Sequence, residues 1–515
     1  MQEKSLSSNA FWSVFSQVWG MAVVFFMAPF LIHRIGHAHY GVYLFLSSLS
    51  GMLGVLNLGL GEATLRYVAY YHGRGDNEGI NRVLGATLFI YAIMGTAAAA
   101  ALFFFAPQVG RLLRESAADQ GLVVMLVQIT SLGFLLRFMA GAFLAVPQAA
   151  LRYDLYARVI LGESVVRTIG QVLVVLAGWG IMGLILWSAA AGLFLLAATV
   201  LLVKYLIPDL SLWQMPSRQG FREVFGYGVF AFLSQLLGLV WQYADRLLLG
   251  AFVGASAIAF FAVPQELAMR FLGLAAAAGA VLFPKFSRTE DMKRIKVLYV
   301  QSTSALLFLT VMLFVPLAVL FPDFIRLWVS TGFAEESRHV AVIIAASCII
   351  RGAFIPYEGL FRGIGKPQYY LVVIALSSMT VLLCDLVLIP RYGIRGAGYA
   401  FCLSPLWGVA AIVFAWHRVL RNASFGELFR CAGGPCLVGF AMLAVGCWMR
   451  SFCKPDIGWL AMIGLAGAIF GLTTVCLIGY GFTLGRQSNP FAYALNLVRN
   501  AKVMRTACAC ALCET

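Results

Sequence analysis

The chain has 515 residues, of which 61% are hydrophobic and only 11% charged. Soluble domains carry roughly a quarter charged residues, so this chain cannot clothe itself in water-compatible side chains and is predicted to lie in a bilayer. The formal net charge of +15 does not point to nucleic acid, because the basic residues fall in loops between apolar stretches and not on one soluble face.

Apolar runs long enough to span, separated by turn residues, predict about fourteen transmembrane helices. Their expected limits are 9–32, 39–62, 83–106, 120–147, 155–177, 180–204, 223–250, 255–284, 297–321, 338–364, 368–390, 394–417, 431–449 and 457–482. The first run is too long for a signal peptide and is read as the first span. No connecting loop leaves room for a soluble domain. With the N-terminus placed in the cytoplasm, cytoplasmic segments hold about 23 Lys and Arg and the opposite loops about nine, a bias that puts both termini inside. All eleven cysteines lie from Cys348 onward, mostly inside spans, where Cys acts as a small apolar residue. Cys508, Cys510 and Cys513 are read as a passive reduced tail, and no cofactor or metal site is expected, the histidines His33, His37 and His39 included.

The chain echoes itself at an offset of about 218 residues. Ser16, Gln17 and Gly20 fall on Ser234, Gln235 and Gly238; Gly36 falls on Gly254 and Gly61 on Gly279. At a slightly shorter offset Gly180 to Gly183 falls on Gly393 to Gly396. The order and spacing suggest a duplicated unit of six spans. An even number of spans puts both copies in the same orientation, so the repeats are parallel. The expected fold is therefore all-α and polytopic: an N-lobe over 1–207, a C-lobe over 222–420, two further helices over 421–485, and a cytoplasmic tail over 486–515.

Charge at membrane depth marks candidate sites. Glu266 and Arg270 are four residues apart on the eighth span and share a face. Asp245 and Arg246 adjoin on the seventh, and Glu62 and Arg66 close the second. Arg137 with Glu163 and Arg167, and Arg351 with Glu358 and Asp385, are read first as structural networks. Gln17, Gln235 and Trp241 offer amide and ring partners for polyols; helix–helix contact is an equal reading for the two glutamines, and a place at the bilayer interface the plainer one for the tryptophan.

The segments YGVYLFLSSLSGMLGVLNLGLGEATLRYVA (Tyr40 to Ala69), ADRLLLGAFVGASAIAFFAVP (Ala244 to Pro264), RGIGKPQYYLVVI (Arg362 to Ile374) and YGIRGAGYAF (Tyr392 to Phe401) resemble the Wzx-type polysaccharide flippases of the multidrug/oligosaccharidyl-lipid/polysaccharide exporter superfamily. The resemblance covers essentially the whole chain on loose motifs. It implies two six-helix lobes plus a last pair, a central cavity worked by alternating access, and an undecaprenyl-diphosphate-linked oligosaccharide as substrate in the bacterial inner membrane. Membrane lipids, a polysaccharide polymerase and chain-length machinery would be its partners. On that basis Arg270, Arg246, Arg66 and Arg351 are candidates for the diphosphate. Gln17, Gln235 and Trp241 are candidates for sugar, and Glu266, Glu62, Asp245 and Glu358 for proton coupling. A cation-coupled drug exporter of the same superfamily, and a membrane glycosyltransferase or polymerase, remain as alternatives.

Overall fold

The computed structural model describes residues 6–57, 60–113, 117–150, 152–207, 218–279, 286, 291–418, 432–454 and 456–483. Side chains of 6–17, 62, 117–119, 218–234, 278, 367, 415–418 and 482–483 fall outside that description, as do Cys508, Cys510 and Cys513.

Among the described residues the secondary structure is helical throughout. The helices are α1 Leu6–Leu53, α2 Leu60–His72, α3 Asn77–Phe104, α4 Ala106–Leu112, α5 Ala117–Ala149, α6 Tyr153–Leu176, α7 Gly180–Leu206, α8 Arg218–Phe252 and α9 Ala255–Gly279. They continue with α10 Met292–Trp328, α11 Thr331–Gly352, α12 Phe354–Gly363, α13 Pro367–Tyr392, α14 Ile394–Leu403, α15 Leu406–Arg418, α16 Gly434–Ser451 and α17 Trp459–Thr483.

Twelve stretches of the described residues are long and apolar enough to cross a membrane. One of them, Val18–Asn57, runs for 40 residues, about 60 Å of helix and twice a hydrocarbon core. Gly36, at φ 82° and ψ 159°, turns its backbone out of the helix, so it makes two passes. With α8, 35 residues long, the passes come to the fourteen expected.

Several boundaries differ from the expected ones, each for a local reason. The second span does not run unbroken to 62: α1 ends at Leu53, a 3-10 turn covers Gly54–Asn57, and α2 restarts at Leu60 and continues to His72. The third begins at Asn77 instead of 83, because the Asp76 carboxylate caps it by accepting from the Gly79 N–H at 2.8 Å. Asp291 and Ser330 likewise start α10 and α11 ahead of the apolar runs 297–321 and 338–364. The twelfth span is interrupted at Ser404 and Pro405, where the ring removes a backbone donor.

Two of the echoed glycine pairs share a backbone role. Gly36 and Gly254 both take positive φ, at 82° and 127°, and so do Gly180 and Gly393, at 55° and 59°. Side chains with a Cβ avoid that region, so each copy turns its chain at the matched place.

The helices pack as two compact units, residues 1–262 with 385–394, and 263–384 with 395–515. The division falls inside α9, because α8 packs on α1, α2 and α3 of the first unit. In that unit α2, α3, α5 and α7 bury a common core around Tyr91, Phe138 and Phe143. Close approach of α6 and α7 is set at Gly170: a Cβ there would lie 1.7 Å from the Trp187 ring, whose Nε1–H donates to the Val166 carbonyl at 3.1 Å.

In the second unit α10 packs on α11, α16 and α17. Two arginine–carboxylate links fasten the last helix pair to it. Arg450 donates to both Asp323 oxygens at 2.7 and 2.8 Å. Arg326 pairs with Asp456 and also donates to the Ile457 carbonyl at 2.8 Å.

Gly170→Leu is expected to displace the Trp187 ring and break its bond to Val166, at a cost of about 1–3 kcal/mol from overpacking. Thermal unfolding of the purified protein in detergent measures it as a lowered midpoint.

Candidate functional site

A span interrupted at membrane depth leaves backbone groups without helical partners. Lipid cannot supply them, so such a break persists only inside protein or along a wet cavity. Discontinuous helices accordingly mark binding sites in transporters. Between Leu53 and Leu60 the second span makes such a break. Asn57 mends part of it: its Oδ1 accepts from the Gly61 N–H at 3.0 Å, capping α2, and also from the Tyr91 hydroxyl.

The break opens on a cavity of about 520 Å³ inside the first unit, within the range of small-molecule sites. Gly54 and Asn57 line it from the break, Tyr43, Ser47 and Ser50 from α1, and Tyr91 from α3. Thr130, Phe134 and Arg137 come from α5, Arg167 from α6, Ser188 from α7 and Gln235 from α8. Hydroxyls, amides and aromatic faces thus ring the space together with two guanidinium groups.

The charges are arranged in depth. Arg137 Nη2 lies 2.6 Å from Glu163 Oε1, and Arg167 Nε lies 3.2 Å from the same oxygen. The Glu163 side chain is only 7% exposed, whereas those of Arg137 and Arg167 are 34% and 31% exposed. The carboxylate backs the two cations, and the cations face the cavity. Gln171 extends the network by donating to the Tyr43 hydroxyl at 3.3 Å and to Ser188 Oγ at 3.1 Å. The Glu163–Arg167 spacing of four places both on one face of α6. Packing of α5 against α7 brings Arg137 across, where Nη2 also lies 3.4 Å from the Ser188 carbonyl.

Of the residues singled out from sequence, Gln235 lines this cavity. Trp241 is half-buried on α8, and Asp245 and Arg246 are buried further along that helix. Arg66 is exposed on α2, its guanidinium 5.8 Å from the Tyr67 ring centroid. The side chains of Gln17 and Glu62 lie outside the described residues. In the second unit Glu266 is half-buried and Arg270 exposed on α9. Glu358 pairs with Arg362 at 3.0 Å on α12. Arg351 donates to the Phe401 carbonyl at 2.9 Å and to Ser404 Oγ at 2.7 Å, and stacks 4.1 Å from the Phe401 ring centroid. It thereby serves the broken C-terminus of α14, where carbonyls lack partners and the helix dipole favours a cation.

Sequence favours a structural network for Arg137, Glu163 and Arg167 over a functional one; Arg137 and Arg167 line the cavity, and Glu163 stands behind them. The sequence reading missed Asn57 and Tyr43 altogether.

Comparison with known proteins agrees with this architecture. The "Putative O-antigen transporter" of Shigella flexneri is 19% identical over 418 residues, covering 80% of this chain and 97% of that protein. The "Probable flippase AglR" of Haloferax volcanii is 22% identical over 239 residues, 44% of this chain and 50% of its own. These relatives are named for transport and flipping, not for an enzymatic reaction. Among solved structures, the lipid II flippase MurJ in an inward closed conformation superposes with a TM-score of 0.71, at 14% identity, over 91% of this chain and 98% of that one. An inward-facing multidrug resistance transporter of the MATE family superposes with a TM-score of 0.62, at 15% identity, over 79% and 96%. The family described as "Polysaccharide biosynthesis protein" matches residues 6–290, more than half of the chain. The chain is a multi-pass membrane protein and a member of that polysaccharide biosynthesis family.

Proposed function

We propose that this protein turns a polyprenyl-diphosphate-linked oligosaccharide from the inner to the outer leaflet of a bacterial inner membrane, by alternating access, with both termini in the cytoplasm. Undecaprenyl diphosphate is the carrier this reading favours. The observation that carries it is the cavity beside the broken second span, lined by hydroxyls, amides, rings and two arginines, in a chain of the polysaccharide biosynthesis family. Sugars lose water on entering a membrane and need such partners in exchange. The names of the relatives from Shigella and Haloferax, a transporter and a flippase, support the same reading.

The MATE-like fold also suits a drug exporter. Drug exporters coupled to cations would be served by acidic cavities, and the described charges here, two arginines on one glutamate, repel a cationic drug.

The headgroup diphosphate calls for a guanidinium, which meets phosphate bidentately. Arg270, exposed on α9, is assigned this part, with Arg246, Arg66 and Arg351 as further candidates. Glu266, one turn away, is assigned a proton in the cycle, with Glu62, Asp245 and Glu358 as further candidates.

Deleting the gene is expected to strand the lipid-linked unit on the cytoplasmic leaflet, read by its protection from an externally added glycan-modifying reagent. Export that continues without a rescuing paralogue refutes the function. Arg270→Ala should weaken transport about tenfold or more, the loss of one charge-assisted contact, with unchanged membrane insertion. Glu266→Gln should abolish the dependence of transport in proteoliposomes on an imposed pH gradient.

A further inference from the structure

We propose that the turn between α2 and α3 holds the headgroup phosphodiester of an anionic membrane phospholipid, on the face assigned above to the cytoplasm. The assignment makes no use of flipping, and none of the turn's residues lines the cavity.

Rings and guanidinium groups build the turn. Tyr70 and Tyr71 stand edge to face near the end of α2, ring centroids 5.2 Å apart. Arg74 lies over Tyr70, its guanidinium carbon 4.1 Å from the ring centroid. Arg82, from the first turns of α3, lies 5.5 Å from the Tyr71 centroid, and its Nη2 donates to the Tyr71 hydroxyl at 3.3 Å. The Tyr71 ring packs directly on Gly79, where a Cβ would lie 2.4 Å from it. Stacking thus fixes both cations before any ligand arrives.

Three observations point to an anion. Among the described residues no carboxylate pairs with Arg74 or Arg82, although Asp76 and Glu78 share the turn; Asp76 accepts from the Gly79 N–H as the cap of α3. Arg82 is half-buried, and its Nε–H is shut in without an acceptor among the described residues. Buried polar groups nearly always find partners, so the balance for this charge comes from its exposed side. Thirdly, Tyr70 is 47% exposed, and the exposed Tyr153 and Tyr205 stand at the same end of the unit, where Leu155 and Leu206 join the core that Tyr71 packs on. Tyrosines collect at headgroup level. The anion at hand there is a lipid phosphodiester, which basic sites on this face of a membrane bind and whose paired oxygens fit a guanidinium.

The second unit supplies a control. Arg362 on α12 also approaches a ring, 6.0 Å from the Tyr370 centroid, but pairs with Glu358 at 3.0 Å.

The test uses the full chain in detergent with equal amounts of phosphatidylglycerol and phosphatidylethanolamine of the same acyl chains, and reads the first lipid retained by mass spectrometry of the intact complex. The wild type should keep phosphatidylglycerol about tenfold over phosphatidylethanolamine, one charge-assisted contact. Arg74→Gln with Arg82→Gln should bring that ratio to about one, and Arg362→Gln should leave it unchanged. A wild-type ratio near one overturns the proposal. So does a double variant that keeps the ratio, or an Arg362→Gln variant that lowers it as far, which would make the preference a general effect of positive charge. Inorganic phosphate or undecaprenyl diphosphate that displaces the lipid at equal concentration also overturns it, moving the site to a free phosphate or to the carrier. Should the double variant fail to fold, Arg74→Gln and Tyr70→Leu, both at exposed positions, decide: each should lower the ratio severalfold, and an unchanged ratio in both refutes the site.

Discussion

Every peptide group placed in hydrocarbon must find its partner within the chain, and that constraint explains where this protein is regular and where it is not. Several spans break among the described residues, and two of the breaks are instructive. In the second span the gap at Gly54–Asn57 is met by the Asn57 amide and the Tyr91 hydroxyl, and the remaining space is open. In the twelfth, the gap at Ser404–Pro405 is met by Arg351, whose guanidinium covers the Phe401 carbonyl, the Ser404 hydroxyl and the Phe401 ring. One break opens on a cavity and the other is covered by a side chain. The same backbone defect therefore serves two ends, decided by which neighbour reaches it.

Stoichiometry sorts the charges in a similar way. Arg450 with Asp323, and Arg326 with Asp456, are matched one to one and hold helices together. The Arg450–Asp323 pair is largely buried, and losing one member of such a pair is costly; Asp456 is exposed, so its pair with Arg326 contributes less. Arg137 and Arg167 with Glu163 are matched two to one. Arg137 and Arg167 also line the cavity.

Much of this architecture was legible in the order of residues. Apolar runs of the right length gave the passes, and glycines spaced by about 218 residues announced turns that the backbone makes with positive φ in both copies, as Gly36 and Gly254 show. The start of α3 was misplaced because Asp76 caps a polar first turn that an apolar window passes over. The site was harder to read. Glu163 and Arg167 declare their pairing by a spacing of four, but Arg137 joins them only through the packing of α5 on α7, which no local pattern encodes. How far each arginine is exposed is a property of the assembled bundle.

The clasp between Arg450 and Asp323 joins residues 127 positions apart. A ribosome adding roughly 5–20 residues per second delivers the arginine many seconds after the aspartate. During that interval α10 holds a carboxylate with its partner still unsynthesised. Helices α16 and α17 thus close a latch that stays open until they are made, and a chain cut short before residue 450 never closes it.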